Sequence, residues 1–228
     1  CLAVLLVLAG CSSSSSSSPA SEPVVSDDLS PPVLSALRPE TVLPGTSISL
    51  SGSSFTDPSQ ASTYLRLVGT FDNAPIDIRM PANLTASTEM TVSWAGSSAA
   101  GLPADSGTFL GHAILEVPVP AASFTLKSAP LPVKINFKKS LTPKVSTVQT
   151  GKVYPNDVIT ITGDDFLLGG SEGFSTAVVE GCYKSQGSSS CKNVGPVKIR
   201  ATPATAHDRT KLTFPFAPTI QGIQPGTF

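Results

Sequence analysis

Apolar and hydroxyl-bearing residues alternate along several short stretches of this chain. Residues 48–51 read Ile-Ser-Leu-Ser, and residues 159–162 read Ile-Thr-Ile-Thr. A period of two places every second side chain on the same face of a strand, so each stretch predicts a β-strand with one buried face. Pro44-Gly45 precedes the first stretch and Pro155-Asn156 the second, and both pairs favour a turn. Both stretches are therefore predicted to be strands that follow a tight turn.

The two stretches belong to an internal repeat. Residues 32–37 align with residues 143–148, an offset of 111 (143 − 32). At the same offset, residues 44–55 (PGTSISLSGSSF) match residues 155–166 (PNDVITITGDDF), with Pro, Ile, Gly and Phe in common. The Gly before two small or polar residues and Phe predicts a bulge or a close backbone approach at the end of the strand. We expect the Phe to turn back into the core.

The head of each repeat, a proline, a short apolar strand, a turn and an alternating strand that runs into Gly-x-x-Phe, resembles the opening of IPT/TIG domains. The resemblance covers about 24 residues in each repeat, from residues 32 and 143 onward. It implies immunoglobulin-like β-sandwiches and a modular, often extracellular role, but no activity, since such folds host many functions. We therefore expect an all-β chain of tandem immunoglobulin-like sandwiches, the first over residues 31–139 and the second over residues 140–228.

Further alternating segments supply the remaining strands of each sandwich, and seven short strands in about 110 residues suit this fold. They are predicted at residues 64–68, 76–79, 90–94, 109–117 and 131–137, and then at 145–148, 158–162, 176–180, 197–200 and 212–216. Trp94 is expected to be a core anchor. Gly-Thr-Phe at residues 107–109 recurs at residues 226–228. By that measure the second sandwich is C-terminally truncated by about 28 residues (137 − 109), and the sequence is predicted to be a fragment.

An apolar run at residues 2–9 leads into Gly10, Cys11 and seven serines. The run is too short to span a bilayer, which takes about 20 apolar residues. Leu-Ala-Gly-Cys at residues 8–11 resembles the lipobox of bacterial lipoproteins. The resemblance implies a signal peptide over residues 1–10 that is truncated at its start, cleavage before Cys11 and palmitate or similar lipid on that cysteine. An ordinary secretory signal and a buried structural segment are the alternatives.

Residues 11–30 would then form the lipidated cysteine and a Ser-rich flexible linker, too poor in apolar residues to pack. Ser12 stands where an Asp would retain such a lipoprotein in the inner membrane, so the resemblance implies an outer membrane lipoprotein, periplasmic or surface-exposed.

The composition supports this class of protein. The chain has 21 prolines, 18 glycines and only 14% charged residues, which disfavours long helices and favours short strands joined by turns. Net charge is −1, although residues 111–228 carry 12 basic and 7 acidic residues. No aromatic residues are interleaved with the basic ones as in single-strand binders, so solvated strand faces explain them and no nucleic-acid partner is expected.

Few residues in the sequence are candidates for a disulfide, a metal site or catalysis. Cys182 and Cys191 bracket a turn-rich loop, and export to an oxidising compartment predicts a disulfide between them, worth about 2.5–3 kcal/mol. His112 and His207 lack a zinc motif, and the pair Asp164-Asp165 is too small a set for calcium. There is no Gly-x-Ser-x-Gly nucleophile motif. The chain is expected to hold no metal or cofactor and not to be an enzyme.

The segments at residues 167–175 and 182–191 lengthen the second repeat, and loops on rigid sandwiches often carry binding. Gly170, Glu172, Tyr183 and Lys184 are the candidate binding residues within them. The sequence predicts a non-catalytic, membrane-anchored surface lipoprotein whose domains act as spacers or bind glycan or protein. Two alternatives remain: a stalk of a larger surface enzyme whose catalytic domain lies beyond residue 228, and a secreted adhesin without lipid.

Overall fold

The structure is a computed structural model that describes residues 30–119, 123–149, 156–185, 189–190, 192–216 and 226–227. The predicted signal peptide, Cys11, most of the linker and Cys191 lie outside the described residues. The described strands of the first repeat are β1 (Val33–Arg38), β2 (Thr41–Val42), β3 (Ser47–Ser53), β4 (Thr63–Phe71), β5 (Ala74–Ala86), β6 (Glu89–Ser93), β7 (Gly107–Val119), β8 (Phe124–Lys127) and β9 (Leu131–Phe137).

These strands form two layers joined by the long strand β5. The strand order is β1-β3-β6-β5-β4-β7-β9-β2, with β8 paired to β7. The first half of β5 pairs with β4 and its last residues pair with β6, so β5 crosses from one layer to the other. One buried cluster contains inward-facing residues of both layers, such as Ile48 and Val92 from one and Leu67 and Phe109 from the other. This is a β-sandwich with a single core.

The described strands of the second repeat are β10 (Lys144–Val148), β11 (Val158–Asp164), β12 (Thr176–Ser185), β13 (Lys192–Arg200), β14 (Thr202–Pro203), β15 (Lys211–Pro215) and β16 (Gly226–Thr227). They form one layer ordered β10-β11-β15-β14 and a second ordered β13-β12-β16. Ile161, Leu212 and Phe214 of the first layer face Val179 and Ile199 of the second. The all-β, immunoglobulin-like fold class predicted from the sequence is confirmed.

The two repeats also share the backbone geometry around one glycine. Gly52 lies opposite Leu34, and Gly163 lies opposite Val145, each beside a bulge in the first strand of its sandwich. A Cβ on Gly52 would lie 1.9 Å from the carbonyl oxygen of Val33, and a Cβ on Gly163 would lie 1.9 Å from that of Lys144. Only glycine fits so close an approach, which explains why the repeat keeps it.

The segments predicted as strands all fall within strands or overlap them, but their bounds differ. Residues 76–79 belong to the thirteen-residue β5, and residues 176–180 to the ten-residue β12. Strand β8 was not predicted. Trp94 is buried, and its ring centroid lies 4.6 Å from that of Phe137, which confirms its predicted role as a core anchor.

No helix among the described residues is long and apolar enough to cross a membrane.

Candidate functional site: the joint between the two sandwiches

The two sandwiches meet at a contact, called the joint below, that consists of Thr41, Gly45 and Thr46 of the first sandwich with Phe166, Glu172 and Arg209 of the second. A tight turn at the head of β3 forms the first half of the joint. The Thr46 hydroxyl accepts a hydrogen bond from the Leu43 N–H at 2.9 Å, and the Thr46 N–H donates to the Leu43 carbonyl at 2.9 Å. Gly45 has φ +92°, and its N–H donates to the Trp94 carbonyl at 2.7 Å. The turn is therefore fixed to the core of the first sandwich, and the Thr46 side chain has a single orientation.

The loop that follows β11 forms the second half. A short 3-10 helix spans Gly170–Glu172, and the Glu172 carboxylate accepts a hydrogen bond from the Leu168 N–H of the same loop. The Leu167 N–H donates to the Ser175 hydroxyl at 3.0 Å. These bonds fold the loop onto itself and direct the Glu172 side chain toward the turn of the first sandwich, where only 1% of it is exposed.

Arg209 lies between the two halves and uses all five of its N–H donors. Nη1 and Nη2 each donate to one oxygen of Glu172 at 2.9 Å. The remaining donors reach the Phe166 carbonyl at 2.9 Å, the Thr41 carbonyl at 3.1 Å and the Thr46 hydroxyl at 3.4 Å. The Arg209 side chain is 8% exposed. A planar guanidinium with five fixed donors suits this set of acceptors, and a lysine ammonium would not.

The polar groups of the joint are fully paired. Besides Arg209 and the Leu168 N–H, the Glu172 carboxylate accepts a hydrogen bond from the Thr46 hydroxyl at 2.6 Å. Burial raises the pKa of Glu172, but the hydrogen bonds from Arg209, Thr46 and Leu168 outweigh it and hold this pKa below its ordinary value. Glu172 is therefore ionised at neutral pH, and the joint contains a complete ion pair.

Close backbone packing surrounds this ion pair. A Cβ on Gly45 would lie 2.5 Å from the Ser171 carbonyl oxygen and 2.7 Å from the Glu172 nitrogen. At the rim, Lys138 Nζ lies 3.7 Å from Asp165 Oδ1, a contact between partly exposed side chains that contributes little.

The joint can hold the two sandwiches in one orientation. Removing one partner of a buried, hydrogen-bonded ion pair costs about 3–5 kcal/mol, because the other charge is left without compensation. The four acceptor positions of the Glu172 carboxylate are occupied within the chain, so this group is satisfied without a ligand.

Among the residues that the structure describes, no three His, Cys, Asp or Glu side chains are grouped to bind a metal ion.

The structure separates the four candidate binding residues. Gly170 and Glu172 lie in the joint loop, where Gly170 has φ +64° and no heavy atom within 4 Å of the position that a Cβ would take. Tyr183 and Lys184 lie on β12, where they pair with Lys192 and Thr227 respectively. Their side chains are not among those described. Binding by either pair stays a prediction.

The other chemistry-bearing residues lie apart from the joint or at its rim. Cys182 is disulfide-bonded, and since its predicted partner Cys191 lies outside the described residues, the Cys182–Cys191 pairing stays a prediction. His112 lies on the exposed face of β7, and His207 occupies a turn with φ +66°. Asp165, beside Asp164, also has a left-handed φ of +59°, matching Ser54 in the first repeat. Asp164 ends strand β11, and Asp165 follows it at a bend that both repeats share.

A second charged cluster lies on the outer face of the first sandwich. Glu116 on β7 is 9% exposed and is within 3.1 Å of Arg66, 3.4 Å of Arg79 and 3.3 Å of Lys127. Burial raises the pKa of Glu116, but the hydrogen bonds from Arg66 and Lys127 outweigh burial and hold this pKa below its ordinary value, so Glu116 is ionised at neutral pH. Arg66 also pairs with Asp77 at 2.5 Å. The cluster ties four neighbouring strands, β4, β5, β7 and β8, together across the sheet.

Of the residues in the joint, the sequence predicts only Glu172 as a candidate, and as a ligand-binding residue. Arg209 follows a hairpin turn and lies in no recognisable motif, and Thr46 belongs to the turn that precedes an alternating strand. The signal for the other half of the joint is Gly45, a glycine where the second repeat has Asn156. Both residues have positive φ, +92° and +75°, but only Gly45 lies against another backbone.

The chain matches no protein-family model, and a search of curated proteins finds no significant relative. The likeness to IPT/TIG domains and to lipoproteins therefore stays a prediction from the sequence.

Proposed function

We propose that this chain is a non-catalytic, membrane-anchored surface lipoprotein whose two sandwiches act together as a rigid spacer. The joint carries this proposal. A spacer between a membrane and its surroundings needs domains that keep a fixed relative orientation. Here a buried Arg209–Glu172 ion pair and a glycine-dependent backbone contact hold both sandwiches.

The rigid part would follow a flexible tether. Roughly 20 Ser-rich residues separate Cys11 from β1, and a flexible chain of that length has a root-mean-square span of about 25 Å. Two or more lipid chains on Cys11 would make the attachment stable, whereas one chain gives only marginal binding. The flexible tether and the two rigidly joined sandwiches would together place the far end of the second sandwich well away from the lipid surface.

Metabolic labelling tests the anchor. Cells that express the chain behind a functional lipoprotein signal peptide are given labelled palmitate, and the protein is recovered from the membrane fraction. We expect label in the wild type and in Cys182→Ala, and none in Cys11→Ala. Equal labelling of Cys11→Ala, or an unlabelled wild type found in the medium, would contradict the lipoprotein proposal. Separation of inner and outer membranes then tests the expected outer-membrane location.

A further inference from the structure

A small pocket lies in the first sandwich beside the point where β5 crosses between the two layers. Ala82 is the last residue of β5 that pairs with β4, and Asn83 is the first that pairs with β6. The pocket has a volume of about 140 Å³ and is lined by residues of these three strands and of the segment before β4. Ala82 and Met90 are buried and form its floor, whereas Pro81 and Asn83 are exposed and form its mouth.

Thr63, which also lines this pocket, has a hydroxyl group without a partner. The residue is 5% exposed, and its Oγ1 makes no hydrogen bond to any described residue. The large majority of buried side-chain polar atoms in folded proteins have a partner, so this exception calls for an explanation. Rotation about χ1 exchanges the hydroxyl with the methyl group on the same Cβ, so a polar ligand in the pocket can pair with it.

The segment before β4 forms one side of the pocket and is held in shape by Asp57. The Asp57 carboxylate accepts hydrogen bonds from the Ser59 N–H at 2.8 Å and from the Ser59 hydroxyl at 2.6 Å. The Gln60 and Ala61 N–H groups donate to the Asp57 carbonyl at 2.9 and 3.2 Å. Pro58 and Ala61 of this segment line the pocket. The pocket is therefore preformed, and a ligand binds without the cost of ordering this segment.

We propose that this pocket binds the edge of a neutral sugar ring, such as one pyranose residue of a glycan. A cavity of about 150 Å³ holds a six-membered ring, so the volume suits a single residue whose neighbours stay outside. The Ser62 and Thr63 hydroxyls and the Asn83 amide can donate and accept hydrogen bonds, as sugar hydroxyls do. Pro81 and Met90 offer apolar surface to the C–H groups of the ring.

Two other kinds of ligand fit the lining less well. Among the described residues that line the pocket none is charged, which disfavours a charged ligand because burying an unpaired charge is costly. An apolar peptide side chain would leave the Thr63 hydroxyl unpaired. The pocket shares no described residue with the joint, so sugar binding is independent of the spacer function.

The two methionines of the chain make the test specific. Met90 lines the pocket and Met80 does not, although both are buried in the same core. The methyl groups of both are isotope-labelled in the intact chain and observed by nuclear magnetic resonance. The probes are the methyl glycosides of glucose, galactose, mannose and N-acetylglucosamine, each added to about 50 mM, and we expect a Kd of about 1–10 mM for at least one of them. The Met90 methyl resonance should shift and that of Met80 should stay in place.

Three threonine variants test the role of the hydroxyl. Thr63→Val should bind the glycoside about tenfold more weakly, because a sugar hydroxyl is then buried without a partner. Losing an unpaired hydroxyl does not destabilise the free protein, so this variant is expected to fold. Thr63→Ser keeps the hydroxyl and should bind like wild type. Thr70→Val, at a partly exposed threonine near the other end of β4, is the matched control and should also bind like wild type.

Three results would overturn the proposal. The first is an unchanged Met90 resonance with all four glycosides, which would leave only water as the occupant. The second is a Thr63→Val variant that binds as tightly as wild type, since the hydroxyl would then have no part in the site. The third is a shift of Met90 with N-acetylprolinamide and with none of the glycosides, which would assign the pocket to a peptide.

Discussion

Arg209 and Glu172 form a two-point ion pair, 2.9 Å at each contact, that closes over the Thr46 hydroxyl of the other sandwich. The three side chains are 126 and 163 residues apart along the chain, counted from Thr46 to Glu172 and to Arg209. Because every donor and acceptor is used, the hydrogen bonds of the joint offset the cost of desolvating the two charges. This completeness is what makes a fixed orientation of the two sandwiches energetically reasonable.

Substituting Arg209 tests the energy of the joint. Arg209→Met leaves the Glu172 carboxylate buried and unpaired, so we expect a loss of about 3–5 kcal/mol in the free energy of unfolding of the second sandwich or of its docking. Chemical denaturation followed by fluorescence and circular dichroism measures this loss. The double variant Arg209→Met/Glu172→Met should lose less than Arg209→Met alone, since no charge is then left buried.

The matched control is Arg38→Met. Arg38 pairs with Glu40 in an ion pair whose side chains are 59% and 65% exposed. Exposed pairs contribute about 0–1 kcal/mol, so this variant should unfold nearly as the wild type does. Equal losses in Arg38→Met and Arg209→Met would show that the joint contributes no more than a surface contact.

Gly45→Ala should open the joint by steric overlap. The added methyl group would lie 2.5 Å from the Ser171 carbonyl oxygen, in addition to the strain of an alanine at φ +92°. Gly101→Ala is the control, because Gly101 has φ +76° with nothing near its Cβ position. We expect Gly101→Ala to cost about 1 kcal/mol and to leave the joint closed. Hydrogen exchange of the Leu167–Ser175 loop measures opening of the joint directly. Unchanged exchange in Gly45→Ala would contradict the close approach of Gly45 to the Ser171 backbone.

Acid should weaken the joint. The pKa of Glu172 is lowered from an ordinary value of 4.5, so its ion pair contributes fully above about pH 5 and the contribution is lost as pH falls through the lowered pKa. Other carboxylates with lowered pKa values, such as Asp77 and Glu116, also make the protein less stable in acid. The difference in unfolding free energy between wild type and Glu172→Gln isolates the joint, and we expect it to shrink from pH 6 to pH 3. A difference that stays constant over this range would contradict the account.

Thr63→Val should leave the first sandwich as stable as wild type or stabilise it by about 1 kcal/mol. The Thr63 hydroxyl is buried and is the one such side-chain polar atom among the described residues with no hydrogen-bond partner, so removing it removes a desolvation cost. Thr46→Val, which deletes a fully bonded hydroxyl, should destabilise instead. Thermal unfolding of both variants measures this contrast. A loss above about 1 kcal/mol in Thr63→Val would show that the hydroxyl has a partner.

The repeat and most strands could be predicted because their signals are local. Alternating residues such as Ile159 and Ile161 determine a buried face within a few positions, and Gly52 and Gly163 mark equivalent backbone approaches. The contacts of the joint could not be predicted, since Arg209 and Thr46 are 163 residues apart in the sequence and no local pattern links them. Strand β8 was missed because Phe-Thr-Leu-Lys is too short for a period-two pattern.

Distance measurement between the two sandwiches tests the central claim, a rigid pair held by the joint. Spin labels are introduced at the exposed positions Ser87 and Lys198 through an unnatural amino acid, so the native cysteines stay unmodified. Pulsed electron paramagnetic resonance should give one narrow distance distribution for the wild type and a broad one for Arg209→Met. A broad distribution in the wild type, or an equally narrow one in Arg209→Met, would contradict the claim.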